Sequence, residues 1–225
     1  MTRGIANTDV TANVRAISNE EPWSTPPEDW ASSLKGVIHV WYVRPQIREE
    51  NLAVWARHLS LDELCRAQRF RSPLHQSRFV ACRGMLRELL AQYLRRDPER
   101  LVLCYGPFGK PELAMSSSRE RLHFNLAHCD DVVLFGFCKE CELGVDIEQI
   151  RPLPEAEEIA RRYFSANEFR CWQSLPAGEK LAAFYHCWTR KEAVLKARGW
   201  GIGTGLDAFE VSLSPDKAAV VHMES

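Results

Sequence analysis

Along this chain the spacing of apolar residues switches between a two-residue and a helical period, and the order of the switches limits the architectures open to it. "VIHVWYV" (Val37–Val43) is β-branched and aromatic and is bounded by Gly36 and Pro45, which predicts a strand. From Glu49 to Tyr93 the pattern is helical, with Leu86, Leu89, Leu90 and Tyr93 three and four apart. Ser72-Pro73 should interrupt it, because proline disfavours helix in the residue before it. "LVLCY" (101–105) returns to strand, and "GPFGKP" behind it is turn chemistry. Three more strands are predicted, "LHFNLA", "VVLFGFC" and "LGVDIEQI" (143–150). "PEAEEIARRYF" then reads as an amphipathic helix, "SANEF" carries a Ser165 to Glu168 capping box, and "EKLAAFYHCWTRKEAVLKARG" is a long helix stopped by Gly199. "AFEVSL" and "AAVVHM" are two final strands. The expectation is an α+β, sandwich-like fold in which one strand-and-helix module is used twice, although no sequence repeat is visible. Residues 1–35, polar and proline-bearing, are expected to be irregular, 36–140 to form the first half and 141–225 the second.

With 225 residues, 45% of them hydrophobic, the chain can bury one substantial core or two smaller ones. A formal charge of −1 excludes the global basic field of a generic nucleic-acid binder. Locally, ten arginines face five carboxylates from Arg57 to Arg100, whereas eight carboxylates face three arginines from Glu140 to Glu168. Two readings are open: solvated helix faces, or a basic wall opposite an acidic, metal-friendly one. No apolar run is long enough to span a membrane and the N-terminus lacks the apolar middle of a signal peptide, so a cytoplasmic protein without membrane contact is expected. Eight scattered cysteines fit reduced thiols, including the C-x-x-C of Cys138 and Cys141, which has no second ligand pair.

Asp146 and Glu148 alternate with Val145 and Ile147, so in an extended chain the carboxylates share a face about 6.6 Å apart. Their repulsion is roughly 2.5 kcal/mol at an effective dielectric near 20 and about 0.6 kcal/mol in water. Either solvent or a cation offsets it. Glu192 and Lys196, four apart, share a helix face, as a surface ion pair or as a carboxylate offered to a cation beside an amine offered to an anion, with Lys191 and Arg198 adding charge nearby. Asp146, Glu148 and Glu192 together make an oxygen set suited to Mg²⁺, which keeps waters and takes substrate phosphates as further ligands. His128, where the "FNLAH" strand ends, reads as a hydrogen-bonded structural residue or as a phosphate donor. "GWGIGTG" follows a helix and not a strand, which argues for a connector over a dinucleotide loop.

The ordered set "YGPFGKP", "FNLAH", "GVDIE" and, some forty residues on, "WTRKEAVLKARGWGI" resembles the 4′-phosphopantetheinyl transferases of the Sfp type, over about residues 59–213. The resemblance implies two pseudo-symmetric α/β halves with coenzyme A bound between them. It implies Mg²⁺ on Asp146, Glu148 and Glu192, and coenzyme A against Arg66, Arg78, Gly109, Lys110, Pro111, His128, Asp146, Glu192 and Lys196. Catalysis would fall to Glu192, Lys196 and His128, with the proton acceptor left open between Glu192 and a water on the metal. The implied reaction moves 4′-phosphopantetheine to a serine of an apo acyl or peptidyl carrier protein of fatty acid, polyketide or nonribosomal peptide biosynthesis, releasing 3′,5′-ADP, with the chain acting as a monomer. Glu63 stands where such proteins often carry a basic residue, and Ala127 where many carry serine. After "AAVVHMES" they continue with another hairpin, so the resemblance implies a shortened second half. The alternative is a weakened coenzyme A or carrier-protein binder. An unrelated Mg²⁺ phosphohydrolase rests on the carboxylates alone.

Overall fold

The computed structural model describes residues 11–16, 37–114, 122–139, 141–201, 203, 205–216 and 220–223. Among them are six α-helices and small, mostly antiparallel sheets, a mixed α+β architecture. In chain order the strands are β1 (Thr11–Ala16), β2 (Val37–Val43), β3 (Leu103–Tyr105), β4 (Pro111–Leu113), β5 (His123–Cys129), β6 (Val132–Cys138), β7 (Phe209–Val211) and β8 (Val220–Met223). The helices are α1 (Glu49–His58), α2 (Leu61–Gln68), α3 (Pro73–Leu94), α4 (Ala156–Tyr163), α5 (Ala166–Ser174) and α6 (Ala177–Arg198). β1, β2, β6 and β5 are neighbours in that order in one sheet, while β3 with β4 and β7 with β8 form separate two-stranded ribbons.

Three expectations need correction. β1 pairs in parallel with β2, so the 1–35 segment is not irregular throughout; its other residues lie outside the described ones. Residues 143–150 form no strand: β6 already has β2 on one side and β5 on the other, and Val145 gives its amide to the Asn125 side chain on edge strand β5 instead of to a backbone carbonyl. The helical stretch breaks twice, at the predicted Ser72-Pro73 and also at Ser60, where a capping box opens α2.

The first core packs α3 on the main sheet. Leu86, Leu89, Leu90 and Tyr93, the residues whose spacing predicts the helix, are all fully buried. Each such leucine contributes roughly 1.5–3 kcal/mol by leaving water. A second core gathers Phe164, Trp172, Phe184, Leu195 and Phe209 around α6. Between them a small cluster joins Ala127, Cys138, Leu143 and Val145.

Each core is built around a buried, ion-paired glutamate. In the first, Glu63 closes the α2 capping box with Ser60, pairs with Arg87 at 2.7 Å and meets Arg83 Nε at 3.4 Å, while Arg87 donates to the carbonyls of Pro98 and Leu101. In the second, Glu168 closes the α5 capping box with Ser165 and pairs with Lys191 at 2.7 Å, while Lys191 donates to the carbonyls of Leu206 and Phe209. Glu63, nearly fully buried, is already answered by arginines, and Lys191, fully buried, adds no charge to an anion site.

Candidate active site

Residues 143–148 carry two of the expected carboxylates between the main sheet and α6. Alternation survives without strand pairing. Leu143 and Val145 turn to β6, where a Cβ on Gly136 would fall 2.6 Å and 2.8 Å from their side chains. Gly144 turns to α6, where a Cβ would fall 2.0 Å from the Ala193 carbonyl oxygen, so nothing larger than hydrogen fits. Asp146, on the same side as Gly144, then meets the helix one turn from its end: Lys196 Nζ donates to Asp146 Oδ1 at 2.5 Å. The Asp146 side chain is only 7% exposed, far from the solvated face that was one of its two readings.

Glu192 precedes Lys196 by one turn. Half-burial raises its pKa above the usual carboxylate value, Asp146 and Glu148 raise it further, and Lys196 opposes them. Asp146 Oδ2 and Glu192 Oε1 are buried and have no hydrogen-bond partner. Such oxygens are costly to leave unmatched in a folded protein. Glu148 is exposed and its Oε2 accepts from Cys129 Sγ at 3.7 Å. Among the described residues no three His, Cys, Asp or Glu side chains are already gathered as a metal cage. Mg²⁺ does not require one, since one or two carboxylates plus phosphates and waters suffice. The two unmatched oxygens therefore fit Mg²⁺.

His128, near the end of β5, lines a cavity of about 200 Å³ with Arg78, Cys82 and Asp131. Its pKa lies below the ordinary histidine value, first from partial burial and then from the positive charges of Lys196, Arg78 and His75. Arg66 lies elsewhere, stacked on Phe79 and lining a cavity of about 650 Å³ with Arg69, Phe70 and Tyr105. In the "GKP" turn, Gly109 has φ +80°, Pro111 is buried in β4, and Lys110 Nζ donates to the Ala197 carbonyl at 2.8 Å. The fold thus brings Asp146, Glu192 and Lys196 together, places His128 and Arg78 in one cavity, and sets Arg66 in another. Asn125 escaped the sequence reading: its Oδ1 accepts from the Val145 amide at 2.9 Å. The "FNLAH" motif that contains it was the available signal.

A strand-held histidine, a carboxylate pair and a helix-borne lysine stand around unmatched buried oxygens on an α+β scaffold, a donor set whose chemistry suits a divalent cation and phosphate. Residues 142–225 match the 4′-phosphopantetheinyl transferase superfamily. The chain is 36% identical over 200 residues to 4′-phosphopantetheinyl transferase HetI of Nostoc sp., covering 89% of this chain and 84% of that protein. It is 33% identical to 4′-phosphopantetheinyl transferase psf-1 of Bacillus pumilus, over 73% of this chain and 68% of the other. It is 27% identical to 4′-phosphopantetheinyl transferase Sfp of Bacillus subtilis, over 83% and 80%. The chain belongs to the 4′-phosphopantetheinyl transferase family, in its Sfp-type class, and is an enzyme of that kind.

Proposed function

We propose that this transferase takes its phosphopantetheine from coenzyme A, uses Mg²⁺ held by Asp146 and Glu192 with Glu148 as a third ligand, and modifies a serine of an apo acyl or peptidyl carrier protein. The observation that carries this reading is the pair of buried, unmatched oxygens, Asp146 Oδ2 and Glu192 Oε1, beside Lys196. When bound, Mg²⁺ supplies positive charge that neutralises a pyrophosphate and polarises the attacked phosphorus.

The chain's own groups do the rest. Glu192 is the side chain placed to accept the serine hydroxyl proton; before a metal binds, half-burial and Asp146 raise its pKa. The serine oxygen bonds to phosphorus, the pyrophosphate P–O bond breaks, and 3′,5′-ADP leaves. Lys196 Nζ stabilises the charge that develops on the departing phosphate. His128 and Arg78, which share a cavity, hold phosphate oxygens; Arg66 adds a second cationic wall for the 3′-phosphate. The backbone of Gly109, Lys110 and Pro111 lies against the nucleotide. We assign the two cores to two pseudo-symmetric halves, a reading supported by their matching buried ion pairs. No helix among the described residues is long and apolar enough to cross a membrane, and a cytoplasmic carrier protein is the proposed partner.

Incubation with coenzyme A, Mg²⁺ and a panel of apo carrier proteins, followed by intact mass measurement, tests this. The expected result is one phosphopantetheine added per carrier, lost when Mg²⁺ is chelated. Folded enzyme that modifies no carrier defeats the reading.

A further inference from the structure

Asp146 sits on a segment without a strand partner, yet it must hold its place against Glu192, 46 positions further along the chain, for one ion to bridge both. A sheet ladder would fix that position. Here three other devices do. Gly144 lets the backbone of the segment touch α6 between Ala193 and Ala197. On the sheet side, buried Asn125 takes the Val145 amide at 2.9 Å. At the end nearer β6, Lys110 Nζ donates both to the Leu143 carbonyl at 3.4 Å and to the Ala197 carbonyl at 2.8 Å, tying the segment to the last turn of α6. That turn presents carbonyls without helical partners and the negative end of the helix dipole, both of which favour an ammonium. Lys110 therefore spans the two chain segments that carry Asp146 on one side and Glu192 and Lys196 on the other.

We propose that the Lys110 side chain, with Asn125 as the second anchor, is a positioning residue for the Asp146–Glu192 pair and not a nucleotide ligand. This rests on the assignment of those two carboxylates to Mg²⁺. The turn's backbone stays free to face the nucleotide. Groups that orient metal ligands without touching the metal typically change its affinity by about 10- to 100-fold when removed.

Lys110→Met, Lys110→Arg and Asn125→Ala are compared with the unaltered chain in two assays. Hydrogen exchange is followed without metal or coenzyme A. In Lys110→Met the Val145 amide, whose own bond to Asn125 is intact, exchanges about tenfold faster, with the acceleration confined to residues 143–147. In the transfer assay, Lys110→Met and Asn125→Ala raise the Mg²⁺ concentration for half-maximal rate about tenfold and leave the coenzyme A KM within twofold. Lys110→Arg, which keeps donors for both carbonyls, recovers part of that loss. A raised coenzyme A KM with unchanged Mg²⁺ requirement and unchanged exchange makes Lys110 a nucleotide contact and overturns the proposal. Uniformly faster exchange across the protein also overturns it, by reducing Lys110 to a general stabiliser. If the unaltered chain transfers without Mg²⁺, the metal assignment fails instead, and exchange at Val145 still decides whether Lys110 holds the segment.

Discussion

Helix α3 buries Arg87 and helix α6 buries Lys191, each fourteen positions past the first residue of a 22-residue helix and each paired to a glutamate that also closes a capping box. The residue after the buried cation is a glutamate in both, Glu88 and Glu192, and there the two regions part. Glu88 faces His58 Nε2 at 3.2 Å, a partner from α1 inside the same half. Glu192 faces Asp146, which the chain delivers from the segment that crosses between the cores. Both carboxyl groups are pushed above the usual range, chiefly by burial, and both leave one buried oxygen unmatched. The same helix position thus meets a histidine in one core and, in the other, a second carboxylate, the pair proposed to hold the metal.

The comparison breaks first at the buried pairs. Lys191→Met strands the buried Glu168 and should cost about 3–5 kcal/mol in denaturant unfolding, whereas Arg87→Met, which leaves Glu63 its contact with Arg83 at 3.4 Å, should cost less. A cost under 1 kcal/mol at either site would mean the two cores are not built alike. Next come the carboxylates. Glu192→Gln should lower kcat/KM for transfer by about 10²–10⁴-fold, the range for a lost proton acceptor, whereas Glu88→Gln should stay within about fivefold. Equal losses would erase the division between them.

The capping serines sharpen the contrast further. Ser60→Ala should destabilise by about 1 kcal/mol. Ser165→Ala should cost more in the same thermal melt, because Ser165 Oγ also donates to Glu210 Oε1 at 2.8 Å. The smallest effect is ionic. Since His128 titrates below its unfolded value, the stability it contributes is complete above about pH 6.5 and is lost as pH falls through the folded pKa. His128→Gln should therefore flatten the decline in unfolding free energy below pH 6. NMR titration of the His128 ring should show an upward shift when coenzyme A supplies phosphate charge.

Much of the architecture was legible because local rules and tertiary packing agree there. Leu86 to Tyr93 at helical spacing, the Ser165–Glu168 box, the stop at Gly199 and the hairpin from His123 to Cys138 all behave as read. The failure at 143–150 is instructive: period-two alternation reports which side chains share a face, and here side chains, Asn125 and Lys110, take the backbone groups that a strand would have paired. The matching buried pairs also have a trace in the letters, S-x-x-E followed by a basic residue 24 positions on from Glu63 and 23 from Glu168, too short to stand out as a repeat. Lys191, though, looked like surface charge, since a lysine beside a glutamate on a polar helix carries no local mark of burial.

What the amino-acid sequence determined alone was the inventory: which segments coil or extend, and that four ordered motifs supply carboxylates, a histidine and lysines. Spacing within a helix or an extended chain is set by backbone geometry, so such facts need no partner. Only the tertiary structure decided that Asp146 is buried against Lys196, that Glu148 turns to Cys129, that Glu63 is buried against Arg87 and that Lys110 reaches α6. Those outcomes depend on which distant groups share a desolvated space, and long-range packing alone specifies that.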